Sequence, residues 1–248
     1  MEEELEATLK NLEGTHDKQQ FEEEVVQHLN NPVTDIKPIV KEYLTSVKSV
    51  KKEGNKFYLS DGDAVVEVRV VSDEIIRVRL APHGVFLADF SYAVEQVDQK
   101  VTTFQLEDTA DAYLISTNTI TCKVRKDNFL ISFICNTTGI VTSSDASSMH
   151  WEENAEFGGF YVYATKECQP EENFFGLGDK SGNMNLRGRK FQNWNTDAYS
   201  YGWDQDPLYR TIPFYTGINQ GEAYGIFFDN TFKSYFDFGM QDNSKTSF

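Results

Sequence analysis

A chain of 248 residues can bury a sizeable core as one large β domain or two smaller ones, without disulfide or metal staples. Its formal net charge of −16 at pH 7, from 39 acidic and 23 basic side chains, argues against nucleic acid and anionic membrane surfaces as partners, because both attract clustered Lys and Arg. Neutral or cationic partners remain.

The charge is densest at the start. Residues 1–30 carry nine acidic side chains against Lys10 and Lys18. Leu5, Leu9 and Leu12, then Phe21, Val25 and Leu29, recur at helical spacing on either side of Gly14-Thr15, which predicts two short acidic helices in an extension over residues 1–40. Such an extension is either a solvated charged face or an amphipathic arm packed on its own domain or another subunit. No basic stretch followed by an apolar run opens the chain, and no apolar run approaches the ~18 residues that span a bilayer. A cytoplasmic chain is expected.

From Tyr43 onward the period changes from helical to two. Val66, Val68 and Val70 fall on one face with Val65, Glu67 and Arg69 on the other, the mark of a half-buried strand. Ile76, Val78 and Leu80 alternate with Arg77 and Arg79, and Ile120, Cys122 and Val124 alternate with Thr121, Lys123 and Arg125. Asp127-Asn128 then turns the chain into Phe129, Ile131 and Phe133, and Asn136-Thr137-Thr138-Gly139 reads as a further turn. Later β-like runs cover Phe157 to Tyr163, Arg189 to Trp194, Tyr209 to Tyr215, Ala223 to Asp229 and Phe232 to Phe238. These predict an all-β antiparallel sandwich over residues 41–248, with no linker dividing it.

Cys122, Cys135 and Cys168 show neither an even count nor CxxC spacing, so reduced, buried thiols are expected. His16, His28, His83 and His150 lie far apart without metal-ligand spacing. No cofactor motif is present. Asn173 to Gly182, NFFGLGDKSG, fits neither glycine-rich nucleotide loop; it reads as a tight turn after a strand, or as a ligand contact. Asp204-Gln205-Asp206 lacks the Gly and Glu of a calcium loop, and Asp206-Pro207 reads as the start of a turn.

Eighteen of the 34 aromatic residues and nine of the 16 glycines stand in residues 174–248. The densest stretch is Trp194 to Tyr209, WNTDAYSYGWDQDPLY. Within it, Trp194, Asn195 and Asp197 combine a flat apolar surface with an amide and a carboxylate, the set that a neutral sugar needs for its face and its hydroxyls. The alternative makes the aromatics core or edge residues and the aspartates turn formers.

These segments resemble the family 31 glycoside hydrolases, the α-glucosidase and α-xylosidase family, in the β-sandwich that precedes their catalytic (β/α)₈ barrel. Phe174 to Asp179 is similar to the family's YGLGE element, with Asp179 in place of Glu, and Trp194-Asn195-Thr196-Asp197 to its WN-x-D loop. Asp206 to Tyr209 (DPLY), Ile212 to Phe214 (IPF), Tyr224 to Asn230 and Phe236 to Gly239 (FDFG) follow in the family's order. The resemblance spans roughly residues 60–240. It implies a galactose-mutarotase-like sandwich packed on the barrel of the same protein, with Asp197 binding the sugar leaving group of an α-linked oligosaccharide and with Trp194 and Asn195 shaping the loop. It also implies that the two catalytic aspartates of a retaining mechanism lie on the barrel. No segment similar to the family's nucleophile motif occurs here, so the chain is expected to be a fragment that ends within the last sandwich strands and is inert alone. A freestanding carbohydrate-binding or interaction module is the competing expectation.

Overall fold

A computed structural model describes residues 40–95, 103–155 and 158–248. The expected acidic helices lie outside these residues. The described chain is all strand and loop. In its first half come β1 (Lys41–Tyr43), β2 (Ser49–Glu53), β3 (Lys56–Ser60), β4 (Val65–Val70), β5 (Ile76–Ala81), β6 (Gln105–Asp108), β7 (Ala112–Ser116), β8 (Ile120–Arg125) and β9 (Ile131–Cys135). There follow β10 (Val141–Glu153), β11 (Phe160–Glu167), β12 (Asn173–Gly178), β13 (Lys190–Asn193), β14 (Thr211–Asn219), β15 (Glu222–Phe227), β16 (Ser234–Asp237) and β17 (Lys245–Ser247). Every strand pair is antiparallel.

Strands β2 to β5 form a four-stranded meander, and β6 to β9 continue, through β10, into a ten-stranded sheet that ends at edge strand β13. Alternation puts Phe57, Leu59, Val66 and Val68 on the inner face of the meander. They meet Ile115, Cys122, Val124 and Ile131 from the facing strands to form the first core. A second core forms where the three-stranded sheet β12-β14-β15 faces β13 and β16. There the rings of Phe174, Tyr215, Phe236 and Phe238 pack stacked and edge-on, with Leu177 and Phe191 in the same core. The C-terminal aromatic excess is thus partly explained by a core built from rings rather than from aliphatic side chains.

Three expectations need correction. Phe129 is not a strand residue: it is fully buried at the end of the turn, with φ 58°. Glu67, placed on the outer face by alternation, is buried and meets the Lys56 ammonium at 3.4 Å. The NFFGLG segment is a strand, not a tight turn. Its pairing with β14 slips register between Gly176 and Gly178, and Leu177, at φ 65°, is tucked into the second core. A Cβ on Gly178 (φ +82°) would stand 2.6 Å from the Arg210 carbonyl oxygen, so glycine serves here a close backbone approach within a bulge.

The longest strand, β10, escaped the sequence reading. VTSSDASSMHWEE has no clean alternation, because register shifts break its pairing with β9 and again with β11. Its first residues pair with β9, and its later ones with β11 and β1. At the bend Asp145 is buried; it accepts the Ile131 N–H at 2.8 Å and pairs with Lys166 at 2.6 Å. The NTTG turn stands as expected between β9 and β10.

Candidate functional site

The aromatic stretch is the connection between β13 and β14. Its two feet are clamped together by Asn195, whose Oδ1 accepts from both the backbone N–H and the hydroxyl of Thr211, each at 2.9 Å. The Thr196 N–H donates to the Leu208 carbonyl at 2.9 Å, and the Tyr209 hydroxyl donates to the Ala198 carbonyl at 2.8 Å. Ala198 and Leu208 are buried beneath the loop. These bonds tie residues 195–198 to 208–211 as a folded-back strap.

The far leg is held by a buried ion pair. Lys180 Nζ donates to Asp206 at 2.6 Å and to the Gln192 carbonyl at 2.9 Å, while the Gln192 N–H donates to the other Asp206 oxygen. The Lys180 side chain is 3% exposed and that of Asp206 13%. Burial pushes the Lys180 ammonium below the usual lysine range, although the Asp206 carboxylate pulls it back. The Ser181 hydroxyl adds a bond to the Gln205 carbonyl at 2.8 Å. Asp206 is therefore an internal counter-ion, which accounts for the DPLY segment without a calcium loop. The sequence reading missed Lys180; its one signal was a lysine among glycines and apolar residues in GLGDKSG.

What this frame presents outward is specific. With Ala198 turned inward, Asp197 is exposed, and its carboxylate has no side-chain or backbone partner among the described residues. Tyr199 is 90% exposed, and Tyr201 and Trp203 are also exposed. Trp194 is about half exposed, with the Lys233 ammonium 5.2 Å from a ring centroid. Trp194 and Asn195 border a cavity of about 510 Å³ whose walls include Tyr92, Ile212, Phe227 and Phe232. Asp197 is not among its lining residues. The three residues singled out from sequence therefore divide: Asn195 is a clamp, Trp194 a wall, and Asp197 a free acceptor on the loop above.

The opposite wall comes from the segment after β5. Asp89 receives Arg77 at 2.6 Å and Arg69 at 3.2 Å, and Arg79 donates to the Leu87 carbonyl at 3.1 Å. The hydrogen bond from Arg77 holds the Asp89 carboxyl below the usual range against partial burial. The Ser91 hydroxyl donates to Asp229 at 2.7 Å, and Arg77 reaches Asp229 at 3.8 Å. Arginines that alternation placed on a strand's outer face thus strap residues 87–91 across to the loop after β15. This brings Tyr92 to the cavity.

The motifs that resembled one family now share one geometry: GLGD and DPLY meet at the Lys180–Asp206 pair, WN-x-D closes on β14, and the Asp229-Asn230 segment receives the arginine strap. Residues 65–237 match the model of the glycosyl hydrolase 31 N-terminal galactose mutarotase-like domain. The chain belongs to this family.

This glycosyl hydrolase 31 N-terminal domain is 29% identical over 175 residues to alpha-glucosidase 2 of Bacillus thermoamyloliquefaciens, covering 70% of this chain and 22% of that one. Among solved structures, the GH31 dextranase of Flavobacterium johnsoniae complexed with isomaltotriose superposes with a TM-score of 0.71 at 30% identity, over 83% of this chain and 25% of that one. The cycloalternan-forming enzyme of Listeria monocytogenes, in complex with a pentasaccharide substrate, shares the fold with a TM-score of 0.70 at 20% identity, over 84% of this chain and 19% of that one. The domain spans about a quarter or less of the length of these relatives. Among the described residues no group of His, Cys, Asp and Glu side chains could hold a metal ion, and no helix is long and apolar enough to cross a membrane.

Proposed function

We propose that this domain supplies the substrate-gripping loop of a retaining α-glycosidase, with Asp197 accepting hydrogen bonds from hydroxyls on the leaving-group side of an α-linked oligosaccharide. The observation that carries this reading is the contrast within one loop. Asn195, Ala198, Asp206 and Tyr209 are all committed to internal bonds or burial, whereas Asp197 is exposed and unpartnered. An ionised carboxylate has acceptor capacity only and suits donating hydroxyls. Fixing it on a strapped loop lowers the ordering cost of binding. The relatives support the substrate class, since one is a dextranase seen with isomaltotriose and one an alpha-glucosidase.

In this reading Trp194 and Asn195 shape the loop, and the bond-breaking aspartates belong to the catalytic barrel of the same protein. The 248-residue chain alone is inactive. Three free cysteines, two of them buried, accord with a reducing cytoplasm.

The test is Asp197→Ala in the full-length enzyme, assayed on maltose and isomaltotriose. A charge-assisted hydrogen bond contributes roughly 1.5–3 kcal/mol, so kcat/KM should fall by at least about tenfold. Because the carboxylate makes no hydrogen bond or ion pair among the described residues, the Tm of the 248-residue chain should move by less than about 1 °C. A kcat/KM within twofold of wild type removes Asp197 from substrate binding. The exposed rings of Tyr199, Tyr201 and Trp203 also favour a second reading, a freestanding carbohydrate-binding module. Calorimetric titration of the 248-residue chain with maltotriose decides between the two, since binding at millimolar concentration or tighter supports the module.

A further inference from the structure

A second cavity, of about 470 Å³, lies among the tip of the β9–β10 hairpin, the end of β11 and the turn between β14 and β15. Strand β14 runs from Thr211, where the loop is clamped, to Asn219 in this cavity, so at ~3.3 Å per residue the two lie roughly 26 Å apart. Its floor is fixed. Asn219 is 3% exposed, and its Nδ2 donates to the Val141 carbonyl at 3.2 Å, which joins the β14–β15 turn to β10. Around that bond stand polar groups with no internal task. Ser132 and Ser144 are cross-strand partners; their hydroxyls, the Glu167 carboxylate and the side-chain amides of Gln169 and Gln220 line the cavity without a hydrogen-bond or ion-pair partner among the described residues. Thr142 and Asp145 on the same strand are committed, to the Phe133 carbonyl and to Lys166. Gln220 adds an independent sign. Pairing of Asn219 with Glu222 leaves Gln220-Gly221 as a two-residue turn with φ 51° and 87°, a geometry that favours Asn-Gly or Gly-Gly. Glutamine is a poor choice for the turn itself, but it sets a long amide at the cavity wall.

We propose that this cavity binds a neutral polyhydroxy ligand, a glucosyl unit of an α-linked glucan, as a second sugar site remote from the Asp197 loop. The lining sets the ligand class. Among the described residues that form it there is no Lys or Arg to neutralise a phosphate or sulfate, and Glu167 is the one carboxylate, fewer than a hard cation gathers. Ile140 and Val141 are its apolar side chains, too little to anchor a protein partner but enough to meet the C–H face of a pyranose. The hydroxyls of Ser132, Thr138 and Ser144 both donate and accept, the two glutamine amides do so through separate atoms, and Glu167 accepts. That mixture matches sugar hydroxyls, which also do both. No aromatic ring lines the cavity, so binding is modest, with a Kd on the order of 10 mM. The site shares no residue with the loop of residues 194–209 and does not depend on any role for Asp197; the reading of the parent enzyme enters only in the choice of maltose as probe.

The test is a maltose titration of the isotope-labelled 248-residue chain, followed by NMR of its side-chain amides. The Gln169, Asn219 and Gln220 signals should shift together and saturate with one Kd of about 10 mM. Glycine suits φ 51° and keeps the turn, so Gln220→Gly should raise this Kd at least about fivefold while moving Tm by less than about 2 °C. Absence of saturable shifts at these amides overturns the site, and so does an unchanged Kd in the double variant Gln220→Gly/Ser144→Ala. Equal shifts from ethylene glycol at the same hydroxyl concentration would mark general solvation and also overturn it. Shifts confined to residues 194–209 would belong to the freestanding module and overturn it as well. Calorimetric titration of the Gln220→Gly chain with maltotriose then reads the aromatic loop alone, and failure of the Asp197 role appears only in kcat/KM, leaving these amide shifts unchanged.

Discussion

Lys180→Met is the most direct probe of what holds the loop. The ammonium is 3% exposed and its partner carboxylate 13%, so solvent screens the pair little. The variant removes the 2.6 Å ion pair and the 2.9 Å bond to the Gln192 carbonyl, leaving Asp206 charged with only the Gln192 N–H as partner. Removing one member of a buried pair costs about 3–5 kcal/mol. The slight exposure of Asp206 favours the lower end, about 3 kcal/mol, or a fall in Tm of about 6–12 °C for a domain of this size. Thermal unfolding of the 248-residue chain by circular dichroism reads this directly. The double variant Lys180→Met/Asp206→Leu, which buries no orphan charge, should recover most of the loss, because apolar replacements of a buried pair are often neutral. A single-variant cost under about 1 kcal/mol, or a double variant no more stable than the single, would refute the claim that this pair anchors the loop.

Gly178→Ala places a Cβ 2.6 Å from the Arg210 carbonyl oxygen at φ +82°; it should cost about 3 kcal/mol or more through clash and backbone strain together, read as a fall in the urea midpoint of the 248-residue chain. An unchanged midpoint would mean that β12 and β14 are not held this close. Glu172→Gln addresses pH. Burial raises the Glu172 carboxyl above its usual value, outweighing the hydrogen bonds from the Tyr224 hydroxyl and the Gln169 N–H. The folded state therefore holds this proton more tightly than the unfolded chain. Stability from this group is fully present below the unfolded value of about 4.3 and is lost as pH rises through the raised folded value. Glutamine keeps one acceptor oxygen for the Gln169 N–H, turns its NH2 as a donor to the Tyr224 hydroxyl oxygen, and does not titrate, so the difference in Tm between variant and wild type should grow in the variant's favour as pH rises over that window. A difference independent of pH would show that Glu172 titrates as in the unfolded chain.

The legible parts of this fold share one property. Val66, Val68 and Val70, and Ile120, Cys122 and Val124, lie in strands whose register is unbroken, so period-two alternation maps directly onto burial. Alternation fails wherever a bulge intervenes: β10 loses its pattern at its register shifts, and the glycines of NFFGLG mimic a turn although they sit in a strand. It also fails for Glu67, because a buried charge needs a cross-strand cation that only pairing supplies. For the candidate site, the residue types of the WN-x-D loop were visible at once, but their roles were not. Asn195, grouped in sequence with the sugar-binding set, clamps the loop to Thr211 through its Oδ1, a contact that no local pattern reveals.

The sequence alone determined the all-β class, most of the meander, and the ordered motifs that led to the family, because side-chain alternation and turn residues act over a few positions. The tertiary structure alone decided that Lys180 neutralises Asp206 from 26 positions away and that Arg77 binds the segment before Tyr92 across to Asp229. It also decided that the amide of Asn193 is buried without a hydrogen-bond partner among the described residues. Each of these depends on electrostatics and desolvation between chain segments distant in sequence, and no local pattern encodes which distant segments will meet.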